Sequence, residues 1–320
     1  MEEFNIIDKI KRLTSMNDRS NNLNIGDDCA VLKNMSNERD ILITTDALVE
    51  NIHFDLKYCT FYDIGYKSAQ VNISDIICKG GAPKSMFISL SIPSRIREEN
   101  IMMFYKGLLD ASSHYNIEVS GGDLTSSKDS FFISITLVGI INKNKAVLRS
   151  NAQVGDNLYV LGTLGESDLG LKKLMNGKFD INDKVVQSHL RPKLFVKEWQ
   201  NILNKYSVSS AIDVSDGLLQ EANHIATASN VQIEIWENSN WALVNSEYAT
   251  SNNKKDILKS ILTGGEDYAI LFTSSKKIDD DNNIIRIGKV LNSYNSSNRV
   301  LFIDSNGNKV NFNVLGYQHR

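Results

Sequence analysis

The sequence predicts a mixed α/β (α+β) protein built as two domains, residues 1–145 and 146–320. A chain of 320 residues that is 42% hydrophobic, with only 3 prolines, can bury a sizeable core and exceeds the usual size of one domain. Strand-like and helix-like runs alternate along it. At several places a β-rich run gives way to Asp, Thr or Gly, which sets carboxylates and hydroxyls where a sheet is expected to end.

In the first half, Phe4, Ile7, Ile10 and Leu13 recur at helical spacing and predict a short amphipathic helix before a polar loop from Ser15 to Asn24. Ile25-Gly26-Asp27-Asp28 then leads into the apolar run Cys29 to Leu32. Two adjacent ionised carboxylates repel unless cations or donors neutralise them, and a tight turn with one solvated Asp is the plainer reading. Ile41 to Thr45 is β-rich and ends on Asp46, with His53 seven residues on, before Phe54. Oxygen ligands of this kind suit Mg²⁺, although an ordinary capped strand end has the same composition.

Ile64 to Lys79 has helical periodicity and stops at Gly80-Gly81-Ala82-Pro83. Asn72 and Asp75 share one helical face, and an Asp inside an apolar helix needs either a salt bridge to Lys79 at i+4 or a metal. Met86 to Ile92 alternates as a strand does, and Glu98 to Tyr115 reads as a second amphipathic helix. The strand Ile117-Glu118-Val119 runs into Ser120-Gly121-Gly122-Asp123, whose glycines let backbone approach a bulky anion closely. Phe131 to Ile141 is the longest strand candidate and closes a β-α-β-β-α-β-β-like series. Arg149, at the junction, is either a surface residue or the cation that a triphosphate recruits.

The second half opens with a strand from Asn157 to Leu161, then helical runs at Ser167 to Asn176, Lys184 to His189 and Leu194 to Asn204. In Ala211-Ile212-Asp213-Val214-Ser215-Asp216-Gly217-Leu218 a short strand yields to a helix with Asp, Ser and Asp at its start, where an N-cap is the plainer reading. Leu262-Thr263-Gly264-Gly265-Glu266-Asp267 precedes a strand from Tyr268 to Thr273. The patches Asn238 to Lys255 and Ser274 to Asn283 read as solvated loops, and strands are expected from Ile284 to a terminus Gly316-Tyr317-Gln318-His319-Arg320.

Several function classes are excluded by what the sequence lacks. Net charge is −3 and no Lys/Arg block stands out, so neither nucleic acid nor a membrane surface is expected as partner. Cys29, Cys59 and Cys78 are odd in number and without CxxC spacing, which argues against a disulfide framework and for a reducing cytoplasm. The acidic start MEEFNIIDKIKRL does not fit a signal peptide, and no apolar run reaches membrane-spanning length. His53, His114, His189, His224 and His319 show no zinc-ligand spacing. Neither a P-loop, a GxGxxG fingerprint nor a GxSxG elbow is present.

What remains is the carboxylates Asp28, Asp46, Asp75, Asp123 and the pair Asp213/Asp216, far apart in sequence but alike in local setting. If they converge, so much negative charge requires several divalent cations, and metals bridging carboxylates to a polyphosphate point to phosphoryl transfer.

The run of motifs IGDDCAVL, TTDALVENIHF, VNISDI, GGDLT, LRSNAQVGD, AIDVSDGL, GGEDYAILF and GYQH closely resembles the thiamine-monophosphate kinases over nearly the whole chain. They belong to an ATP-binding superfamily with aminoimidazole ribonucleotide synthetase, selenophosphate synthetase and a hydrogenase maturation enzyme. The resemblance implies a two-domain synthetase-like fold whose N-terminal sheet pairs into a barrel across a homodimer, with an α/β C-terminal domain over it. It implies that ATP and thiamine monophosphate give ADP and thiamine diphosphate, the last step of thiamine diphosphate biosynthesis. It also implies Mg²⁺ ligands at Asp28, Thr44, Thr45, Asp46, Asp75, Asp123, Asp213 and Asp216. ATP contacts are implied at Tyr105, Gly122, Asp123, Arg149 and Ser215, and substrate contacts at His53, Glu266 and Tyr317. No covalent catalytic residue is expected, because an ionised phosphate oxygen needs no strong base.

The sequence departs from the family at Asn51, often glycine there, at Ile77-Cys78-Lys79-Gly80, where a more alanine-rich turn is usual, and at Arg320, usually aromatic. Two alternatives stand beside this reading. Another enzyme of the superfamily should carry a reactive Cys near its N-terminus or a Cys at its end, and neither occurs; a non-catalytic Mg²⁺/nucleotide-binding protein would consume no ATP.

Overall fold

The computed structural model describes residues 3–15, 22–33, 38–177, 179–240, 253–279, 283–293, 299–310, 312 and 315–317. After the helix α1 (Glu3–Ser15) come strands β1 (Ala30–Leu32) and β2 (Arg39–Val49), helix α2 (Phe61–Cys78) and strand β3 (Ala82–Pro93). Helix α3 (Glu98–Ser113) and strands β4 (Glu118–Ser127) and β5 (Phe132–Asn142) follow. The five strands make one sheet in the order β1-β2-β5-β3-β4. All its pairings are antiparallel except β3 with β4, and the crossover that a parallel pair requires is α3.

Alternation decides which face of this sheet is covered. In β5, Ile133, Ile135 and Leu137 are fully buried while the residues between them are half-buried, so one face packs on helices and the other stays open. The covering helix is α2, which starts at a capping box: Asp63 N–H donates to Thr60 Oγ1 and the Thr60 backbone N–H donates to the Asp63 carboxylate. It crosses α3 at backbone contact. A Cβ on Gly65 would lie 1.9 Å from the Phe104 carbonyl oxygen, and one on Gly107 1.9 Å from that of Tyr62, so only glycines permit this crossing.

The second sheet is formed by β6 (Asn157–Leu161), β7 (Val208–Asp213), β8 (Gln232–Trp236), β9 (Ile270–Ser274), β10 (Ile284–Leu291), β11 (Val300–Ile303) and β12 (Lys309–Val310). Their order is β12-β11-β8-β10-β6-β9-β7. Helices α4 (Glu166–Met175), α5 (Lys184–Leu190), α6 (Val196–Lys205), α7 (Leu218–Ala228), α8 (Glu237–Asn240) and α9 (Lys254–Thr263) accompany it. Leu158, Val160, Ile212 and Leu271 join a core with Leu218, Ala222, Ile225 and Ile261 from α7 and α9. Tyr159, Leu161, Ala211 and Phe272, on the alternate positions, belong to the same core as Ile73, Ile76 and the first sheet. Helix α2 is thus buried between two sheets.

Polar contacts fix that position. Gln70 Nε2 donates to the Pro192 carbonyl at 3.0 Å, Ser74 Oγ to Asp213 Oδ2 at 2.7 Å, and Arg191 Nη2 pairs with Asp63 Oδ1 at 2.6 Å. Because these groups are buried or nearly so, each donor lost would strand an acceptor at about 1–3 kcal/mol.

Several expectations are corrected. Strand β2 does not stop at Asp46; it runs to Val49, with Asp46 opposite Ile135, because the ladder to β5 continues past it as far as Val49 opposite Phe132. The strand expected to end before Gly121-Gly122-Asp123 continues as β4 to Ser127, and lies along the sheet edge exposed at every position before Ser127. The strand expected from Tyr268 starts at Ile270, since Glu266 and Tyr268 have φ of 64° and 51° and break the extended run. Helix α7 is capped by Gly217 without a side-chain cap, so Asp213, Ser215 and Asp216 are not its N-cap. Strand β8 and helix α9 were not foreseen. Residues 16–21 of the Ser15–Asn24 loop, 241–252 of the Asn238–Lys255 patch, 280–282 of the Ser274–Asn283 patch and the terminal 318–320 lie outside the described residues. No helix among the described residues is long and apolar enough to cross a membrane, and Cys29, Cys59 and Cys78 are buried and unbridged.

Candidate active site

Four carboxylates from four separated elements converge between the sheets. One oxygen each from Asp28, Asp75 and Asp213 lies within 4.8 Å of the others. Asp28 comes from the turn into β1, Asp75 from the buried helix α2, and Asp213 from the last position of β7, in the other sheet. Asp46, on the face of β2 that meets α2, lies close enough to Asp75, Asp28 and Asp216 to feel their charge. Thr44, two residues away on the same face, donates its hydroxyl to Asp75 Oδ2.

The cluster is electrostatically divided. Burial raises the Asp75 carboxyl well above the carboxylate range, with Asp46 and Asp213 adding to it. Burial, then the charge of Asp28, pushes Asp46 up to about 6 and Asp213 to about 7. Burial acts on Asp28 in the same direction, but Arg149 and Lys79 outweigh it and hold that carboxyl below its usual range. Arg149 Nε reaches Asp28 Oδ1 at 2.9 Å, its Nη2 meets the same oxygen, and Lys79 Nζ lies 2.5 Å from Asp28 Oδ2. Among the described residues Asp46 and Asp75 therefore have no cation in contact, Asp213 feels Arg149 and Lys79 only from a distance, and Asp28 has both against it. Asp46 Oδ2 is buried without a hydrogen-bond partner among the described residues. All-oxygen donors, mutual repulsion and an orphaned lone pair are what hard divalent cations such as Mg²⁺ satisfy, so the residues present fit such ions.

Beside the cluster opens a cavity of about 1240 Å³ lined by Thr45, Asp46, His53, Ser215, Asp216, Glu266 and Tyr317, among others. His53 sits in the turn after β2, where Asn51 has φ 65°, a left-handed conformation that asparagine tolerates. The Val49 N–H donates to His53 Nδ1 at 3.0 Å, so the neutral ring carries its proton on Nε2. Glu266 is held in its left-handed backbone by N–H donation to the Ser215 carbonyl at 2.7 Å, and its carboxylate takes Lys67 Nζ at 2.8 Å. Burial raises the Glu266 carboxyl, yet Lys67 and His189 outweigh it, so the group is held below its ordinary range. Tyr317 is 47% exposed, with its N–H on the Asp216 carbonyl at 3.0 Å. The 213–217 turn thus ties Glu266 and Tyr317 to the strand that carries Asp213. Ile52, Phe54, Leu171, Leu174 and Phe179 make the remaining wall apolar enough to receive a ring.

Of the residues singled out in the sequence, Asp28, Thr44, Asp46, Asp75 and Asp213 form the cluster, with Arg149 on its edge, and His53, Ser215, Asp216, Glu266 and Tyr317 line the cavity. Thr45 also lines the cavity, but its hydroxyl points to the other sheet face, donating to the Ile135 carbonyl at 3.1 Å and pairing with Thr136. Three residues are not brought in. Gly122 and Asp123 lie on β4, three strands from β2, with Gly122 packed so closely that a Cβ would meet the Ile88 carbonyl oxygen at 1.8 Å. Tyr105 packs edge-on against Phe104 on α3, ring centroids 5.5 Å apart.

Sequence reasoning left Asp75 either a salt bridge to Lys79 or a metal, and passed over Lys67 and His189. The salt bridge is the alternative not realised: Lys79 occupies the C-cap of α2 and its side chain turns to Asp27 and Asp28. The signal for that pairing was present: the adjacent Asp27 and Asp28 called for cations. Lys67 and His189 carry no such signal, because only the buried contact with Glu266 gives them a role.

Residues 26–141 match the family described as AIR synthase related protein, N-terminal domain. A thiamine-monophosphate kinase from Haemophilus influenzae is 34% identical over 284 residues, 88% of this chain and 84% of its own. One from Bacillus subtilis is 37% identical over 242 residues, 74% of each chain. A solved structure, AaThiL complexed with AMPPCP and TMP, is 34% identical and superposes with a TM-score of 0.84 over 100% of this chain and 97% of the other. With identities of this size over most of its length, the chain belongs to the thiamine-monophosphate kinase family.

Proposed function

We propose that this kinase transfers the terminal phosphoryl group of ATP, in line, to the phosphate of thiamine monophosphate, giving ADP and thiamine diphosphate. The observation that carries the reading is the junction of a cation-deficient carboxylate cluster with a cavity that has polar groups at its mouth and apolar walls. The relatives' names and the complex of AaThiL with AMPPCP and TMP support it.

Asp28, Asp46, Asp75 and Asp213, with Asp216 beside them, would hold Mg²⁺, whose contribution is to neutralise the charge of the polyphosphate. The chain's own residues do the rest by position. Arg149 stands where a phosphate oxygen can compete for its guanidinium, and Ser215 supplies a hydroxyl at the foot of α7. The His53 Nε2–H serves as donor to the acceptor phosphate, and Tyr317 offers an exposed ring face to a cationic heterocycle. Glu266, kept ionised by Lys67, supplies negative charge for the cationic end of the substrate. The acceptor oxygen is already ionised near neutral pH, so no covalent or general-base residue is required.

Two further readings belong here. The chain divides at residues 145 and 146, between the last strand of the first sheet and the first of the second. Two copies pair their first sheets into a barrel: the whole of β4 is an exposed edge, with Leu124 63% and Phe87 42% exposed beside it. In such a dimer Gly122 and Asp123 act from β4 and Tyr105 from α3, which accounts for their distance from the cluster of their own chain.

The deciding experiment is ATP turnover with thiamine monophosphate, following ADP and thiamine diphosphate together. Equimolar formation of both is expected. ADP formed at the same rate without thiamine monophosphate, or no turnover at all, would leave a nucleotide-binding protein and refute the reading.

A further inference from the structure

The turn that ends α2 contains a fully buried lysine. Lys79 is 0% exposed, and an ammonium group has three N–H donors to satisfy. One donates to the Ala211 carbonyl oxygen at 2.7 Å, and the ammonium forms ion pairs with Asp27 Oδ1 at 2.6 Å and Asp28 Oδ2 at 2.5 Å. Those acceptors lie on two segments remote from α2, namely the turn before β1 and the strand β7 that ends in Asp213. The Lys79 carbonyl in turn accepts from the Val147 N–H at 3.1 Å, just before Arg149.

Charge at this end is balanced without any ion. Asp27 and Asp28 carry two negative charges, and Lys79 with Arg149 carries two positive ones; the Arg149 N–H also donates to Asp27 Oδ2 at 2.9 Å. The other end differs. Asp75 and Asp213 are met by the hydroxyls of Thr44 and Ser74 instead of by cations.

We propose that Lys79 is a positioning residue acting as a fixed internal cation, which neutralises the Asp27–Asp28 end in the absence of metal and keeps that end docked on β7 before metal or nucleotide arrives. Divalent ions then enter a cluster whose Asp28 is already in place beside Asp75 and Asp213. A buried ammonium cannot leave with the product, so half of the site stays assembled through each cycle.

The test is thermal unfolding of the nucleotide-free protein and of Lys79→Met, each in EDTA and in Mn²⁺. Methionine keeps the length and apolar stem while removing the charge. In EDTA the variant should unfold roughly 5–10 °C lower, as expected when buried carboxylates lose their cation. Mn²⁺ should raise the variant far more than the parent and close at least half of that gap, because an ion now fills the place of the ammonium. A gap that Mn²⁺ leaves unchanged would mean that Lys79 contributes packing alone, and no gap in EDTA would mean that it contributes nothing; either overturns the proposal. Should Lys79→Met not fold, the double variant Lys79→Met with Asp27→Asn decides. Removing one of the two stranded carboxylates should restore soluble, cooperatively unfolding protein, and a double variant as unfolded as the single one refutes the inference.

Discussion

His189 makes stability fall in acid in a way that can be isolated. It is buried on α5, with Nδ1 3.1 Å from Ser167 Oγ and 3.4 Å from Glu266 Oε2. Burial, then the nearby Lys67 ammonium, lowers its imidazolium pKa from 6.5 to about 3. The folded state therefore refuses a proton that the unfolded chain accepts below pH 6.5, so stability is lost as pH falls from about 6.5 toward 3. At pH 5 the unfolded imidazole is mostly protonated and the folded one neutral, which costs about 2 kcal/mol relative to pH 7.5. This figure depends on the unfolded histidine alone, provided the folded ring stays neutral at pH 5.

His189→Gln keeps a polar group for Ser167 and does not titrate. Urea denaturation of both proteins at pH 7.5, 6.5, 5.8 and 5.0, about, should show the parent losing roughly 2 kcal/mol more than the variant over that range. Other acidic groups act on both proteins alike and cancel in the difference. Parallel curves would show that His189 does not resist protonation. A parent that gains on the variant in acid would show instead that the imidazolium pairs with Glu266, reversing the sign.

Asp46→Asn should leave a folded chain but lower Mg²⁺-dependent turnover by at least about 100-fold, since an amide cannot replace the buried carboxylate whose Oδ2 awaits a partner; near parental turnover at ordinary Mg²⁺ removes Asp46 from the metal site. Asp213→Asn, in the other sheet, should cause a similar loss, and full activity there would mean that the two sheets do not build one site. Sedimentation at micromolar concentration should give two chains, with Leu124→Glu on the exposed β4 shifting the population to one; a monomeric parent with full activity rules out the barrel. His53→Ala should weaken thiamine monophosphate by roughly 1.5–3 kcal/mol and Tyr317→Ala by roughly 0.5–2 kcal/mol, with an ATP analogue little affected. Calorimetric titration checks both, and equal weakening of the two ligands would indicate a general structural defect.

Where periodicity was strong the elements were legible. The run Phe131 to Ile141 became β5 (Phe132–Asn142), and Ile64 to Lys79 became α2 (Phe61–Cys78), because alternation and helical spacing report burial directly. Polar residues misled at strand interiors. Asp46 reads as a terminus, yet β2 continues to Val49 with Asp46 half-buried between α2 and the cavity. Strand β4 shows the opposite failure: with its length exposed it has no buried alternation to read. At the site, motif resemblance named Asp28, Asp75 and Asp213, which do meet. It named no partner for them, because the register of Lys79 depends on the α2 cap and on the approach of β7, neither of which spacing encodes.

The division of charge in the cluster suggests why the two sheets share one core. Asp28 has its cations built in, whereas Asp46, Asp75 and Asp213 are buried with carboxyls that burial and one another make hard to ionise. Ions entering that end must draw ligands from β2 and α2 on one side and β7 on the other, so their binding favours the arrangement in which the sheets are closed. The apolar contact through Tyr159, Phe272 and Ile73, together with the Ser74–Asp213 bond, holds most of that arrangement beforehand. Binding free energy therefore goes mainly to neutralising three carboxylates and a polyphosphate, and little to assembling the chain. Removing Ser74 Oγ leaves the metal donors intact but frees Asp213 from α2, so Ser74→Ala should raise the Mg²⁺ concentration for half-maximal turnover while saturating Mg²⁺ restores most of the rate. A variant whose rate stays low at saturating Mg²⁺ would place Ser74 in the chemistry itself rather than in the geometry of its neighbour.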